Sequence, residues 1–378
     1  MIPRKELLTR IQSGLASNPI VAVLGPRQCG KTTLARVVCT GVSETYFDLE
    51  DPVVGAIFAD PMTALRDLRG LVVIDEAQQR PELFPILRVL SDRPDKPATF
   101  LILGSASPEL SRQASESLAG RVSLIEMGGF GPAEIPQDRW PSLWYRGGFP
   151  RAFLAETDEQ SHRWRSDFIQ TFLKRDLRSH GFGMSAQAMG RFWTMLSHYH
   201  GGVWNATETA TALGLAVNTV RSYLDALVET YMVRRLAPWY ENVGKRLVKS
   251  PKIYIRDSGL FHTLQRIESP TDLYTHPKIG ASWEGFVLES LIQQWKIEDP
   301  YYYAVHSGAE LDLFFQYRGK RYGIEIKRTD APRPHKGYPV LMNDLGLEHL
   351  YVVYPGERTY PVRKGVTALP FGTDPFKH

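Results

Sequence analysis

Between residues 20 and 38 an apolar run, Ile20-Val21-Ala22-Val23-Leu24, gives way to Gly25-Pro26-Arg27-Gln28-Cys29-Gly30-Lys31-Thr32 and then to Thr33-Leu34-Ala35-Arg36-Val37-Val38. The middle segment has a glycine, four free positions and then Gly-Lys-Thr, the spacing of a phosphate-binding loop. The run before it reads as a buried strand and the run after it as a helix. In that setting the loop's backbone N–H groups and the helix N-terminus cradle phosphate oxygens. Residues Gly25, Pro26, Arg27, Gln28, Cys29, Gly30, Lys31, Thr32 and Thr33 are therefore the expected nucleotide contacts. Lys31 is expected to reach the β- and γ-phosphates and Thr32 to hold Mg²⁺. A chain built around this element is constrained to an α/β fold with a parallel sheet.

A second apolar strand, Gly70-Leu71-Val72-Val73-Ile74, ends in Asp75-Glu76. At a strand's carboxyl end, Asp75 would hold magnesium through water and Glu76 would orient or deprotonate an attacking water. The glutamate points to hydrolysis rather than binding alone. A third strand, Thr99 to Leu103, ends in Gly104-Ser105-Ala106-Ser107. Placed between the other two in an open sheet, Ser105 or Ser107 would sense phosphate or position water; a plain turn is the alternative. Further on, Ser117 to Arg121 puts one arginine in a turn of small residues. Arg121 is either a finger acting on a neighbouring subunit of a homo-oligomer or a surface ion pair.

The 378 residues suggest two or three domains. With 43% hydrophobic and 23% charged residues, the composition is that of an ordinary soluble protein. Cys29 and Cys39 are too few for a disulfide framework and suit a reducing cytosol. The start, Met1 to Glu6, lacks a signal-peptide core, and no apolar stretch is long enough to span a membrane. A net charge of +4 does not identify a nucleic-acid binder, so the distribution of charge matters more.

After a Gly- and Pro-rich boundary at 128–150, residues about 151–200 read as helical. Residues 206–233 then carry a helix-turn-helix pattern, with Gly214 at the turn and Asn218 expected to cap a second helix, Thr219 to Thr230. Val220, Tyr223, Leu224 and Leu227 form its apolar stripe. Asn218, Thr219, Arg221 and Ser222 are expected to face outward. A basic stretch follows: Arg234, Arg235, Lys245, Arg246, Lys249, Lys252 and Arg256. Together these look like a winged helix. One reading lays the second helix in the major groove of double-stranded DNA, with Lys245 and Arg246 of the wing on phosphates. A rigid packing module with solvated charges is the other.

Residues 301–327 read as three strands, with a hairpin at Arg318-Gly319-Lys320. Glu325 and Lys327 share one face of the last strand, and Asp312 on its neighbour is expected opposite Glu325. A preceding helix, Trp283 to Trp295, offers Glu284 or Glu289 as a further acid. The acids would hold a metal ion and Lys327 would orient water, the makings of a metal-dependent phosphodiesterase. The order of glutamate helix, aspartate strand and Glu-x-Lys suits a restriction-endonuclease-like fold. An ordinary amphipathic hairpin also produces the pattern.

Taken together the chain resembles the prokaryotic AAA-type ATPases that carry a C-terminal domain called DUF4143, a family similar to signal-transducing STAND ATPases. The resemblance is carried by Gly25 to Thr32, Val72 to Glu76, Ser117 to Arg121, Gly147-Gly148-Phe149-Pro150, Lys252 to Leu260, Trp283 to Val287, Gly308 to Asp312 and Glu325 to Lys327. It implies ATP and Mg²⁺ as ligands, and a Gly-x-Pro element, here Gly148-Phe149-Pro150, near the nucleotide. The expected parts are an ATPase domain at 1–135, a helical and winged-helix region at 136–258 and a restriction-endonuclease-like α/β domain at 259–378. Three functions are compatible with them: a DNA-associated ATPase, a signalling switch that binds an unidentified protein, and an ATP-gated nuclease.

Overall fold

The computed structural model describes residues 2–40, 44–94, 98–105, 118–176, 185–240, 248–305 and 308–377. The chain divides into two compact units. The first comprises 1–130 with the short stretches 149–151 and 229–231, and the second comprises the remainder.

The first unit is built on β1 (Ile20–Gly25), β2 (Glu44–Asp48), β3 (Gly70–Asp75), β4 (Ala98–Ser105) and β5 (Val122–Glu126), in the order β2-β3-β4-β1-β5. Every pairing is parallel. β1 is buried along its whole length, and β3 and β4 nearly so. This is why these strands read as unbroken apolar runs rather than alternating ones. Val72, Ile74, Phe100 and Ile102 join Ile20, Ala22 and Leu24 in one core with Phe84 and Leu87 of the helix Leu83–Ser91. The helix Lys5–Ser17 buries Leu7, Ile11 and Gly14. Parallel strands bring their carboxyl ends to one side. Gly25 pairs with Ser105 and Asp48 with Asp75. The end of β4 thus lies between the loop after β1 and the acids after β3, where open α/β sheets bind ligands.

The second unit contains a mixed sheet. Its strands are β6 (Gly202–Val203), β7 (Val233–Pro238), β8 (Lys252–Ile255), β9 (Tyr301–Ala304), β10 (Glu310–Tyr317), β11 (Lys320–Ile326), β12 (His349–Tyr354), β13 (Tyr360–Arg363) and β14 (Val366–Pro370). Their order is β13-β14-β12-β11-β10-β9-β7-β8-β6. The β10–β11 hairpin turns through Arg318 and Gly319, with φ of 49° and 73°. Two successive positive φ values match the right-handed twist of the flanking strands. Residue 258 marks no break here. β7 pairs antiparallel with β8 and parallel with β9, so the helix-turn-helix segment and the C-terminal strands share one sheet. Arg234, Arg235 and Lys252 of the expected wing therefore lie on paired strands, and Arg256 directly follows one.

Candidate functional site

The phosphate-binding loop is fixed by backbone geometry that its glycines permit. A Cβ at residue 25 would lie 2.0 Å from the Met127 carbonyl oxygen, so only glycine fits. Gly30 has φ of 100° and stands immediately before the helix Lys31–Cys39. Lys31 is 6% exposed and donates to the carbonyls of Gly25 (3.0 Å) and Pro26 (2.9 Å). Arg27 pairs with Glu50. Cys29 is fully buried and its Sγ donates to Met127 O.

Thr32, on the first turn of that helix, donates its hydroxyl to Asp75 Oδ2 at 2.7 Å. Tyr46 of β2 donates to the same oxygen at 2.6 Å. Burial, and then the Asp75 carboxylate, push the Tyr46 phenol well above its usual range, so it remains a donor. Glu76 follows with φ of 55°, a left-handed conformation costly for a residue with a side chain. That backbone places its N–H 2.9 Å from Asp75 Oδ1. Its carboxylate accepts from Ser105 Oγ (3.3 Å) and from Gln78 Nε2, while Gln78 Oε1 accepts from Ser105 N (3.1 Å). Lys31, Thr32, Asp75, Glu76 and Ser105 are thus brought to one end of the sheet. Ser107 lies outside the described residues.

Pro150 lies beside this loop. Its Cγ is 3.8 Å from where a Cβ on Gly30 would stand. Arg4 is a member the sequence reading missed. It is 8% exposed, and its guanidinium donates to the carbonyls of Cys29 (3.4 Å), Gly128 (2.9 Å) and Gly129 (2.8 Å). It ties the loop to the chain leaving β5. Nothing in the local pattern marks it, because its acceptors are 25 and 124 or more residues away. Arg121 is elsewhere. It precedes β5 at the amino ends of the strands, where its carbonyl accepts from Ile20 N, and it makes a bidentate ion pair with Asp92 at 2.6 and 3.0 Å. It takes no part in the phosphate-binding loop of this chain, and its geometry is that of an ion pair.

The second set of candidates also converges, with one unexpected member. Asp312 is 7% exposed and accepts from Ile326 N at 2.8 Å. Glu325 pairs with Lys327 at 2.6 Å, and its other oxygen is buried without a hydrogen-bond partner. Glu284 accepts from the Tyr254 hydroxyl at 2.6 Å. Among these acids sits Lys252, only 2% exposed. Its ammonium is 3.6 Å from both Glu284 and Asp312 and closer still to Glu310. Burial alone would lower its pKa, but Asp312, Glu284 and Glu310 together raise it above the ordinary lysine range. One ammonium serves several carboxylates, so they remain under-compensated. Burial and then Asp312 raise Glu284 to about 7 and Glu325 to about 8. Of the two helix glutamates, Glu284 joins this cluster and Glu289 does not. Glu289 is taken by Arg234 and by Arg256 at 3.1 Å, which hold it below the usual carboxylate range despite burial.

The residues do not fit a divalent cation as arranged, because the Lys252 ammonium already stands against Glu284 and Asp312. Among the described residues no group of three His, Cys, Asp or Glu side chains could hold a metal ion. Four residues of the expected basic wing are engaged within the fold. Arg234 and Arg256 hold Glu289, Lys252 is in the cluster and Arg235 pairs with Asp225 at 2.7 Å. Lys245 and Arg246 lie outside the described residues. The helix-turn-helix pattern itself is present as Ala206–Leu213, Gly214 with φ of 66° and Val217–Glu229. Its second helix starts two residues earlier than read, so Asn218 is a helical residue rather than a cap. Asn218, Arg221 and Ser222 are exposed and Thr219 is half-buried.

Comparison with known proteins matches three successive segments of the chain. Residues 17–135 match the AAA domain, residues 137–271 a domain of unknown function, DUF8612, and residues 279–373 a domain of unknown function, DUF4143. The chain is 48% identical over 370 residues to Uncharacterized protein Rv2008c of Mycobacterium tuberculosis, covering 98% of this chain and 84% of that protein. The same values hold for Uncharacterized protein Mb2031c of Mycobacterium bovis. Among solved structures, a Walker-type ATPase of Pyrococcus abyssi, PABY2304, is 13% identical with a TM-score of 0.49, covering 70% of this chain and 96% of that one. Among the described residues, no helix is long and apolar enough to cross a membrane.

Proposed function

Because the chain belongs to the AAA-type P-loop ATPases with a C-terminal DUF4143 domain, we propose that its first unit binds ATP with Mg²⁺ and hydrolyses it. The observation that carries this is the meeting of the Thr32 hydroxyl with Asp75, beside a Glu76 carboxylate held by Ser105 and Gln78. A hydroxyl and a carboxylate oxygen are the hard donors a magnesium ion takes. When bound, the ion neutralises charge on the transferring phosphoryl group. Lys31 supplies the loop's mobile cation, and in binding phosphate it exchanges the carbonyls of Gly25 and Pro26 for phosphate oxygens. Glu76 orients the attacking water and accepts its proton, with Ser105 and Gln78 fixing the carboxylate. Pro150, against Gly30, is placed to feel the loop's conformation. The expected result is that Lys31→Ala abolishes turnover, while Glu76→Gln still binds ATP and hydrolyses it at least about a hundredfold more slowly. Normal turnover in Glu76→Gln would reject its role.

The exposed row Asn218, Arg221 and Ser222 supports duplex DNA as a partner of this ATPase, with phosphate contacts drawn from that helix rather than from the strands behind it. Turnover measured with duplex DNA across a salt series tests it. Stimulation that fades with salt supports backbone engagement, and a DNA-indifferent rate favours a protein-binding switch.

A further inference from the structure

The second unit contains a cleft of about 310 Å³ whose walls include Trp140, Trp144, Tyr274, Trp283 and Phe371, with Arg328 at its mouth. The rings are held from behind. Trp140 Nε1 donates to the carbonyls of Pro132 and Ile135, both at 3.1 Å. Trp144 Nε1 donates to Ser282 Oγ at 2.9 Å, and the same hydroxyl lies 2.7 Å from His262 Nε2. Trp283 meets Trp144 and Phe371 edge-on, with centroids 5.3 and 5.5 Å apart. A cleft preorganised in this way loses little entropy when it takes a ligand.

Its charge narrows the ligand. The Arg328 guanidinium sits over Trp144 and Tyr274, at 5.7 and 5.5 Å from the ring centroids. Arg328 is exposed, as is Asp330 at the rim. Among the described residues neither makes an ion pair. A cationic ligand would meet a guanidinium already on the aromatic faces. A neutral apolar one would leave the fork of N–H donors unused. A flat ring carrying an acid satisfies both features: the ring packs against Trp140, Trp283 and Phe371, beside the rings Arg328 covers, while the acid takes the paired guanidinium donors. The volume, at the small end of ligand clefts, suits one ring system and its substituent.

We infer that this cleft binds a planar aromatic anion, a single ring system bearing one phosphate or carboxylate. The site is distinct from the phosphate-binding loop and does not depend on the ATPase reading. Two sources share the chemistry, a nucleoside monophosphate and an aromatic carboxylic acid. The test is calorimetric titration of the full chain carrying Lys31→Ala, which removes the loop's phosphate grip, with AMP and with indole-3-acetate. At least one binds, and Arg328→Ala or Tyr274→Ala added to that chain weakens it by about tenfold. Both side chains are exposed, and circular dichroism confirms the fold of each variant. Binding of AMP alone identifies a nucleotide as the source, and binding of indole-3-acetate alone identifies a carboxylic acid. Three results overturn the inference: neither probe binds, both variants bind unchanged, or benzyltrimethylammonium binds more tightly than either anion.

Discussion

Replacing Lys252 by methionine keeps most of the side chain's volume and removes its charge. The ammonium lies 3.6 Å from Glu284 and from Asp312. At that separation, with an effective dielectric near 20, each attraction is about 5 kcal/mol before desolvation is subtracted. Dehydrating the ions offsets much of this, and removing one partner of a buried pair costs about 3–5 kcal/mol in practice. The loss depends on pH in a direction the cluster dictates. Glu284 and Glu325 have folded pKa values of about 7 and 8, above the 4.5 of an unperturbed glutamate. The folded state therefore holds protons that the unfolded chain releases. The stability this contributes is fully present below about pH 4.5 and is lost as pH climbs through the folded values. Without Lys252 those values rise further, so Lys252→Met is tolerated better at pH 6, where Glu284 and Glu325 are largely neutral, than at pH 9. For a unit of this size the thermal midpoint should fall by about 10 °C at pH 9. Thermal unfolding followed by circular dichroism at both pH values tests this. A shift of under about 2 °C at pH 9, or a larger shift at pH 6, would refute the reasoning.

Three further outcomes follow from the first unit. Tyr46→Phe removes the 2.6 Å hydrogen bond to Asp75 and should raise the Mg²⁺ concentration for half-maximal ATP turnover by about tenfold, since partners of a metal-holding carboxylate tune affinity on that scale. Unchanged magnesium dependence would rule out that supporting role. Arg4→Gln should raise KM for ATP more than it lowers kcat, because Arg4 positions the loop without reaching the water-orienting carboxylate; the reverse split would place it in the chemistry. Arg121→Ala should leave the thermal midpoint almost unchanged, as for exposed ion pairs, and leave turnover unchanged at every protein concentration. A loss that grows with concentration would instead identify a finger acting between subunits.

The features legible in the sequence are those whose partners are near in the chain or repeat a strong period. The loop after β1, the acids after β3 and the hairpin at Arg318-Gly319 announce themselves because backbone conformation and burial leave few residue choices there. Glu325 and Asp312 were placed by strand alternation alone. Lys252 was misread because seven basic residues within a short stretch look like a solvated face, although the burial of Lys252, Ile253, Tyr254 and Ile255 together makes that segment interior. A lysine inside such an apolar strand was the available signal. Tyr46 and Arg4 gave no comparable one, since their acceptors are 29 and 25 or more residues away. The choice between Glu284 and Glu289 rested on Arg234 and Arg256, which become neighbours only when β7 and β8 enter the sheet.

β7 and β8 also constrain heredity. Arg234 and Arg256 supply the countercharges of Glu289, and Lys252 supplies that of Glu284. A gene segment encoding only residues 279–378 would inherit Glu284 and Glu289 without these cations, and β9 without β7 beside it. Recombination that exchanged this segment between relatives would have to carry compatible versions of both strands. The two adjoining regions are therefore expected to travel as one evolutionary cargo, whatever ATPase precedes them.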